Sequence, residues 1–312
     1  MGKVVITGAT GAIGRALVTE VLKNGDEVLA IVHKNSVRAE ELHHIKGCSV
    51  FRADLNEYEH IWDAMKVQGL KTNGYGLFFH LAWMAPFGAD RDNPDLQMDN
   101  VQAALEAVRL AGKLGCHTFI GTGSQAEYGR VDGILSPDTA VKPETGYGIA
   151  KLCAGQMTRL LCEQTGICHV WTRVLSVYGP HDRDETLIST AVFNMLRNAE
   201  TSFTPCEQIW DYIYSEDAAR AIYAAGQKGR SGSVYMIGSG EVRRLSEYIR
   251  VIAELTGYGR AIGFGKRPYN PRQVMHLQAD ITSLKQDTGF VPAVCFEEGA
   301  VRLIDYYRKR KL

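Results

Sequence analysis

Tyr147 and Lys151 stand four positions apart, and Ser124 lies upstream at the end of an apolar run, Phe119-Ile-Gly-Thr122. On a helix, a spacing of four puts a phenol and an ammonium on one face, one turn apart. A positive charge beside a phenol favours the phenolate and lowers its pKa. Tyr147 then becomes a proton donor and acceptor usable near neutral pH. The apolar run reads as a strand, and open α/β sheets place their chemistry at strand carboxyl ends, where Ser124 falls. The plain alternative is a helix surface on which Lys151 snorkels past Tyr147. The surrounding elements decide between the two.

A second chemical signature opens the chain. Lys3-Val-Val-Ile6 reads as a short buried strand, followed by Thr7-Gly8-Ala-Thr-Gly11-Ala-Ile-Gly14. A helix with apolar positions Ile13, Leu17, Val18, Val21 and Leu22 then runs to Asn24-Gly25, and Val28 to Val32 is the next strand. Gly8, Gly11 and Gly14 thus sit on a strand-to-helix turn inside a βαβ unit. There the backbone around Ala12 and Ile13 can approach a pyrophosphate at the helix N-terminus. The spacing is Gly-x-x-Gly-x-x-Gly rather than Gly-x-Gly-x-x-Gly, and a Gly-rich turn without a ligand is the alternative. Many NAD sites end the second strand with an acidic residue that holds the ribose. This chain has Val32-His33-Lys34-Asn35-Ser36 there, with Arg38 beyond. Without a carboxylate, a 2′-phosphate meets no repulsion, and His33 and Lys34 could pair with it. NADP(H) is therefore favoured over NAD(H), unless these are solvated loop residues.

Ser49 to Arg52 is a third strand, followed by Asp54 and Leu55. Asp54 could reach an adenine amino group or cap the helix that begins near Tyr58. Gly76 to Leu81 is a fourth strand, apolar throughout as parallel strands are. It leads into Ala82 and Trp83, where a small residue lets a cofactor lie close, and His80 within it reads as a core histidine. Helical patterns cover Asp95 to Leu114, with Asn100 placed to steady backbone near the cofactor, and Thr145 to Thr165. Phe119 to Thr122 and His169 to Leu175 are the fifth and sixth strands. Six alternations of strand and helix predict an α/β doubly wound parallel Rossmann sheet over residues 1–175. Prolines, the short strand Ser233 to Ile237 and the helices Leu245 to Leu255 and Phe296 to Tyr307 follow. They read as a smaller, discontinuous substrate lobe over 176–209 and 238–312. A segment near 210–237, with a helix from Ser215 to Ala225, returns to the main sheet.

The 312 residues carry a formal net charge of zero, which argues against nucleic acid as a partner. No run reaches the roughly 18 apolar residues of a membrane span. The first residues lead directly into a strand, so a cytoplasmic location is expected. Seven cysteines without a Cys-x-x-Cys pair fit reduced core thiols and no metal site.

Together these pieces resemble the extended short-chain dehydrogenase/reductases, the family of nucleotide-sugar epimerases, dehydratases and ketoreductases. The resemblance runs through Thr7 to Gly14, Asp54-Leu55, His80-Leu-Ala82, Ser124 to Gly129, Tyr147 with Lys151, Arg173 to Pro180, and Trp210-Asp-Tyr-Ile213 with Asp217. It implies that Tyr147 is the general acid/base on a sugar oxygen that Ser124 also holds. Lys151 would lower the tyrosine pKa and hold the nicotinamide ribose, with Thr122 lining the cofactor site. It further implies a nucleotide-diphosphate sugar as partner, a homodimer through the helices of Asp95 to Leu114 and Thr145 to Thr165, and a place in cell-surface polysaccharide synthesis.

The departures select among reactions. Sugar 4,6-dehydratases carry an Asp-Glu pair where this chain has Gln125-Ala126, with Glu127 one place too late. Ser176 stands where many relatives have a substrate-binding Asn, and Trp210 where many have an Arg that binds the diphosphate. Arg267 or Arg272 could supply that contact, and Trp83 and Trp210 could line a pocket or pack a core. The basic segment after the second strand favours a 4-keto-sugar reductase using NADPH. A 4-epimerase with tightly bound NAD is the alternative. A non-catalytic NADP-binding regulator and a reductase of small carbonyl compounds stand further off.

Overall fold

Seven mostly apolar runs form strands: β1 (Lys3–Thr7), β2 (Glu27–Val32), β3 (Cys48–Arg52), β4 (Leu77–His80), β5 (Thr118–Ser124), β6 (Cys168–Val174) and β7 (Ser233–Ile237). The structure, a computed structural model, describes residues 2–310; Met1, Lys311 and Leu312 lie outside the described residues. All seven strands pair in parallel, in the order β3-β2-β1-β4-β5-β6-β7. The alternation predicts six strands. The seventh arises because Ser233–Ile237 lies along β6 in register from Val170 to Val174.

The main helices are α1 (Ala12–Lys23), α2 (Pro94–Leu114), α3 (Gly146–Thr165) and α4 (Ser215–Lys228). Both α2 and α3 stop at a left-handed glycine, Gly115 and Gly166, as their sequences predict. One face of the sheet buries Val4, Ile6 and Phe79 against Leu17 and Val21 of α1 and Ala218 and Ile222 of α4. The other buries Val5, Phe78 and Phe119 against Ala107, Val108 and Ala111 of α2. Covering both faces is what lets these strands be apolar on both sides. A further core forms where helices Leu187–Leu196, Leu245–Thr256 and Phe296–Lys309 close on Tyr178 and Tyr214. Ser176–Tyr178 and Tyr212–Tyr214 pair in parallel beside the main sheet.

The order of strands reverses between β1 and β4, and the crevice at their carboxyl ends is where an open sheet binds its ligand. Gly8, Leu81 and Ser124 all lie there. All seven cysteines are free, but Cys168 and Cys295 are exposed rather than in the core. Among the described residues no helix is long and apolar enough to cross a membrane.

Candidate active site

The Gly-rich turn is shaped by close backbone approach. A Cβ on Gly14 would lie 2.2 Å from the Gly8 carbonyl oxygen, so only glycine lets α1 start this near β1. A Cβ on Gly11 would meet nothing closer than the Gly8 carbonyl oxygen at 3.8 Å, and the residue is exposed. Gly11 caps α1 without a side-chain hydrogen bond, and the first turn, from Ala12 and Ile13, holds no acidic residue. Uncapped amides at the positive end of a helix fit a pyrophosphate. The amides of Leu81 and Ala82 donate to Thr7 Oγ1 at 3.1 and 3.2 Å, which ties the ends of β1 and β4 together beside that turn. Asn100 on α2 holds the next stretch. Its Oδ1 accepts from the Met84 amide at 2.6 Å and its Nδ2 donates to the Met84 carbonyl at 3.1 Å.

At the end of β2 the expected free cations are already engaged. His33 Nε2 lies 3.2 Å from Asp54 Oδ1, and the Lys34 ammonium is paired with Glu57. Asp54 caps the turn that begins at Leu55, and the Glu57 carboxylate accepts from the Asp54 amide at 3.0 Å. Two carboxylates therefore stand beside the two basic residues that the sequence offers to a 2′-phosphate. Glu57 escaped the sequence reading, yet the Asp-x-x-Glu pattern of a capping box was there to mark it. Arg38 donates to the His181 carbonyl at 2.7 Å.

Tyr147 and Lys151 lie on the first turns of α3. Thr145 caps that helix by accepting from the Gly148 amide at 3.0 Å. A Cβ on Gly148 would lie 2.3 Å from the Ala126 carbonyl oxygen, so the helix start is pressed against the segment that follows Ser124. Lys151 is buried, and its Nζ donates to the Thr122 carbonyl at 2.7 Å while lying 3.7 Å from the Trp83 ring centre. Burial pulls its pKa down to about 7, opposed by the Glu127 carboxylate. Trp83 also meets Tyr147 edge-on, with ring centres 6.1 Å apart, and donates to Gln97 at 2.9 Å. Trp83 therefore touches both residues of the pair.

The Tyr-x-x-x-Lys spacing predicts that Lys151 depresses the Tyr147 pKa, and here the geometry differs. Burial pushes the Tyr147 phenol up, the Ser124 hydroxyl and the Arg91 guanidinium pull it down, and Glu127 adds to the rise. The Lys151 ammonium sits 5.8 Å from the ring centre and is committed to Thr122 and Trp83. Ser124 ends β5 beside Tyr147, half-buried, with Gln125 next to it. Its Oγ accepts from the Ala126 amide at 3.2 Å.

Glu127 points inward, away from solvent. Its carboxylate accepts from the Ser124 amide at 2.9 Å, Trp171 Nε1 at 3.1 Å and Arg173 Nε at 2.7 Å. Nothing in the spacing marks this burial, because the position alone gives no direction to the side chain. Trp210 Nε1 donates to Ser176 Oγ at 2.7 Å, so those two residues meet each other. Of the two arginines, Arg267 Nε donates to Ser202 Oγ at 3.3 Å and Arg272 to the Glu144 carbonyl at 3.3 Å. Both are exposed.

Comparison with known proteins agrees with this architecture. The model of the NAD dependent epimerase/dehydratase family matches residues 4–238. The chain is 24% identical to the uncharacterized UDP-glucose epimerase YtcB of Bacillus subtilis (strain 168), over 97% of both chains. Its fold is similar to that of a UDP-glucose 4-epimerase from Thermotoga maritima with UDP-glucose, with a TM-score of 0.84, 23% identity and 99% of both chains covered. It is equally similar to a UDP-glucuronic acid 4-epimerase from Bacillus cereus in complex with UDP-glucuronic acid and NAD, with a TM-score of 0.84, 22% identity and 99% of both chains covered.

Proposed function

Because the chain belongs to the NAD dependent epimerase/dehydratase family, we propose that it is an NAD-dependent 4-epimerase of a nucleotide-diphosphate sugar. The pairing of Lys34 with Glu57, with Asp54 beside His33, carries the choice of NAD. A 2′-phosphate there would meet two carboxylates, whereas ribose hydroxyls can donate to them. The amides at the start of α1 hold the pyrophosphate. NAD held there would supply the hydride chemistry at C4. Tyr147 takes the proton of the C4 hydroxyl as hydride leaves that carbon, and returns it when hydride arrives at the opposite face. Ser124 holds the same oxygen, and Lys151 holds the nicotinamide ribose while its charge stabilises the alkoxide that forms. A dehydratase needs carboxyl groups at Gln125 and Ala126, and Glu127 cannot replace them because Arg173 and Trp171 hold its carboxylate in the interior.

The test starts from the protein as purified. Acid release followed by mass measurement is expected to yield NAD, and UDP-glucose is expected to give its C4 epimer with no cofactor added. The basic segment after β2 supports a second reading, a 4-keto-sugar reductase. An empty site that binds NADPH in preference to NADH and reduces a 4-keto-6-deoxy sugar nucleotide would replace the first reading with that one.

The protein acts as a homodimer through α2 and α3. Met98, Ile149, Met157 and Leu160 are exposed apolar side chains on this helix pair, and a second copy would cover them. Light scattering should read twice the 34.5 kDa chain mass, and Met157→Asp with Leu160→Asp should halve it. A single-chain mass for the unaltered protein removes the dimer.

A further inference from the structure

We propose that Arg91 is a positioning residue of this site: its guanidinium, laid against the face of the Tyr147 ring, is the cation that favours the phenolate during proton transfer. The inference rests on the reading of Tyr147 as proton acceptor and names a group outside the Ser124, Tyr147 and Lys151 set. Arg91 lies on a short turn, Ala89–Asp92, just before α2. Its Cζ is 4.9 Å from the centre of the Tyr147 ring. It is half-buried, and its Nε is buried without a hydrogen-bond partner. Among the described residues no carboxylate pairs with it, unlike its neighbours in sequence order Arg52 and Arg109. Without a carboxylate paired to it, less of the field of a guanidinium is cancelled at the group it faces.

The turn is held in place rather than loosely attached. Asp92 Oδ1 accepts from the Gly146 amide at 2.7 Å, at the start of the helix that carries Tyr147. A Cβ on Gly146 would lie 3.0 Å from the Asp92 Cα, so the two backbones are in close contact. Gln97 Nε2 donates to the carbonyls of Ala85 and Asp90 at 3.2 and 3.5 Å and closes the turn from the other side. The position of Arg91 over the ring therefore follows from bonds on both of its flanks.

The charged and polar groups that act on Tyr147 come from three elements. From the end of β5 come the Ser124 hydroxyl, which favours the phenolate, and the Glu127 carboxylate, which opposes it. From α3 itself comes Lys151, held by Thr122 and Trp83 at 5.8 Å from the ring centre. From the turn comes Arg91, the nearer of the two cations to the ring. Asp92 is committed to the Gly146 amide. Arg91 thus supplies the positive charge that the Tyr-x-x-x-Lys spacing assigned to Lys151.

Arg91→Met keeps the stem and removes the charge, and Arg91→Lys keeps the charge. The phenolate absorbance of the holoenzyme is titrated in the ultraviolet, with the Tyr147→Phe protein subtracted to isolate one phenol. Arg91→Met is expected to ionise about one pH unit or more higher, a tenfold loss of phenolate at a given pH, and Arg91→Lys to recover part of it. The acid limb of kcat for sugar oxidation should rise with it while KM stays fixed. Superimposable titrations overturn the proposal, and so does a raised KM with an unmoved acid limb, which would make Arg91 a substrate ligand. If Arg91→Met does not fold, Arg91→Gln takes its place. A protein that turns over no nucleotide sugar would end the epimerase reading, but the titration would still decide the role of Arg91.

Discussion

Tyr147→Phe is expected to bind dinucleotide and sugar nucleotide as the unaltered protein does and to lose turnover by about 10²-fold or more. The substitution keeps the ring and removes one oxygen. The edge contact with Trp83 and the stacking of Arg91 both involve the ring and survive. Among the described residues no backbone group bonds to the phenol, and its partner Ser124 is only half-buried, so the fold should hold. What disappears is the group proposed to accept the C4 hydroxyl proton, beside Ser124. Measuring kcat and the dissociation constant of the sugar nucleotide separately checks this. A kcat near that of the unaltered protein would remove Tyr147 from the mechanism.

The largest expected effect on stability is at Glu127. Its carboxylate and the Arg173 guanidinium form an ion pair at 2.7 Å, with side-chain exposures of 0% and 5%. Arg173 also donates to the Tyr128 hydroxyl at 2.8 Å. Glu127→Ala leaves a buried guanidinium without its counter-charge, and leaves Trp171 Nε1 and the Ser124 amide without an acceptor. Breaking one side of a buried pair costs about 3–5 kcal/mol. The loss should appear as a lower urea midpoint at unchanged slope. Activity should fall as well, because the Ser124 amide is one of the groups Glu127 holds and because Glu127 opposes the burial that pulls Lys151 down. With that opposition gone, Lys151 loses its proton at lower pH, so turnover that needs the ammonium is lost from the alkaline side first. A midpoint equal to that of the unaltered protein would show that the pair contributes nothing net.

The sequence by itself determined what depends on neighbours close along the chain. The period of apolar positions set strand or helix, and the glycines at 8, 11 and 14 fixed the turn that opens α1. Thr145 and Gly166 set the ends of α3, and a spacing of four then put Tyr147 and Lys151 on one face of it. Ser124 at the end of β5 followed from the apolar run before it. The tertiary structure decided what depends on groups far apart in sequence. Charge acts through space, and its strength is set by distance and burial, which no spacing rule reports. Glu57 folded back onto Lys34 and turned an expected phosphate site into an ion pair. Arg91 came to Tyr147 across 56 positions of sequence because Asp92 and Gly146 bond there. Glu127 turned inward to Arg173, and Trp210 turned to Ser176, because β5 lies beside β6 and the strand at 212–214 lies beside the strand at 176–178. The chain's local pattern built the frame and placed Ser124, Tyr147 and Lys151, and packing between distant segments set the charges that act on them.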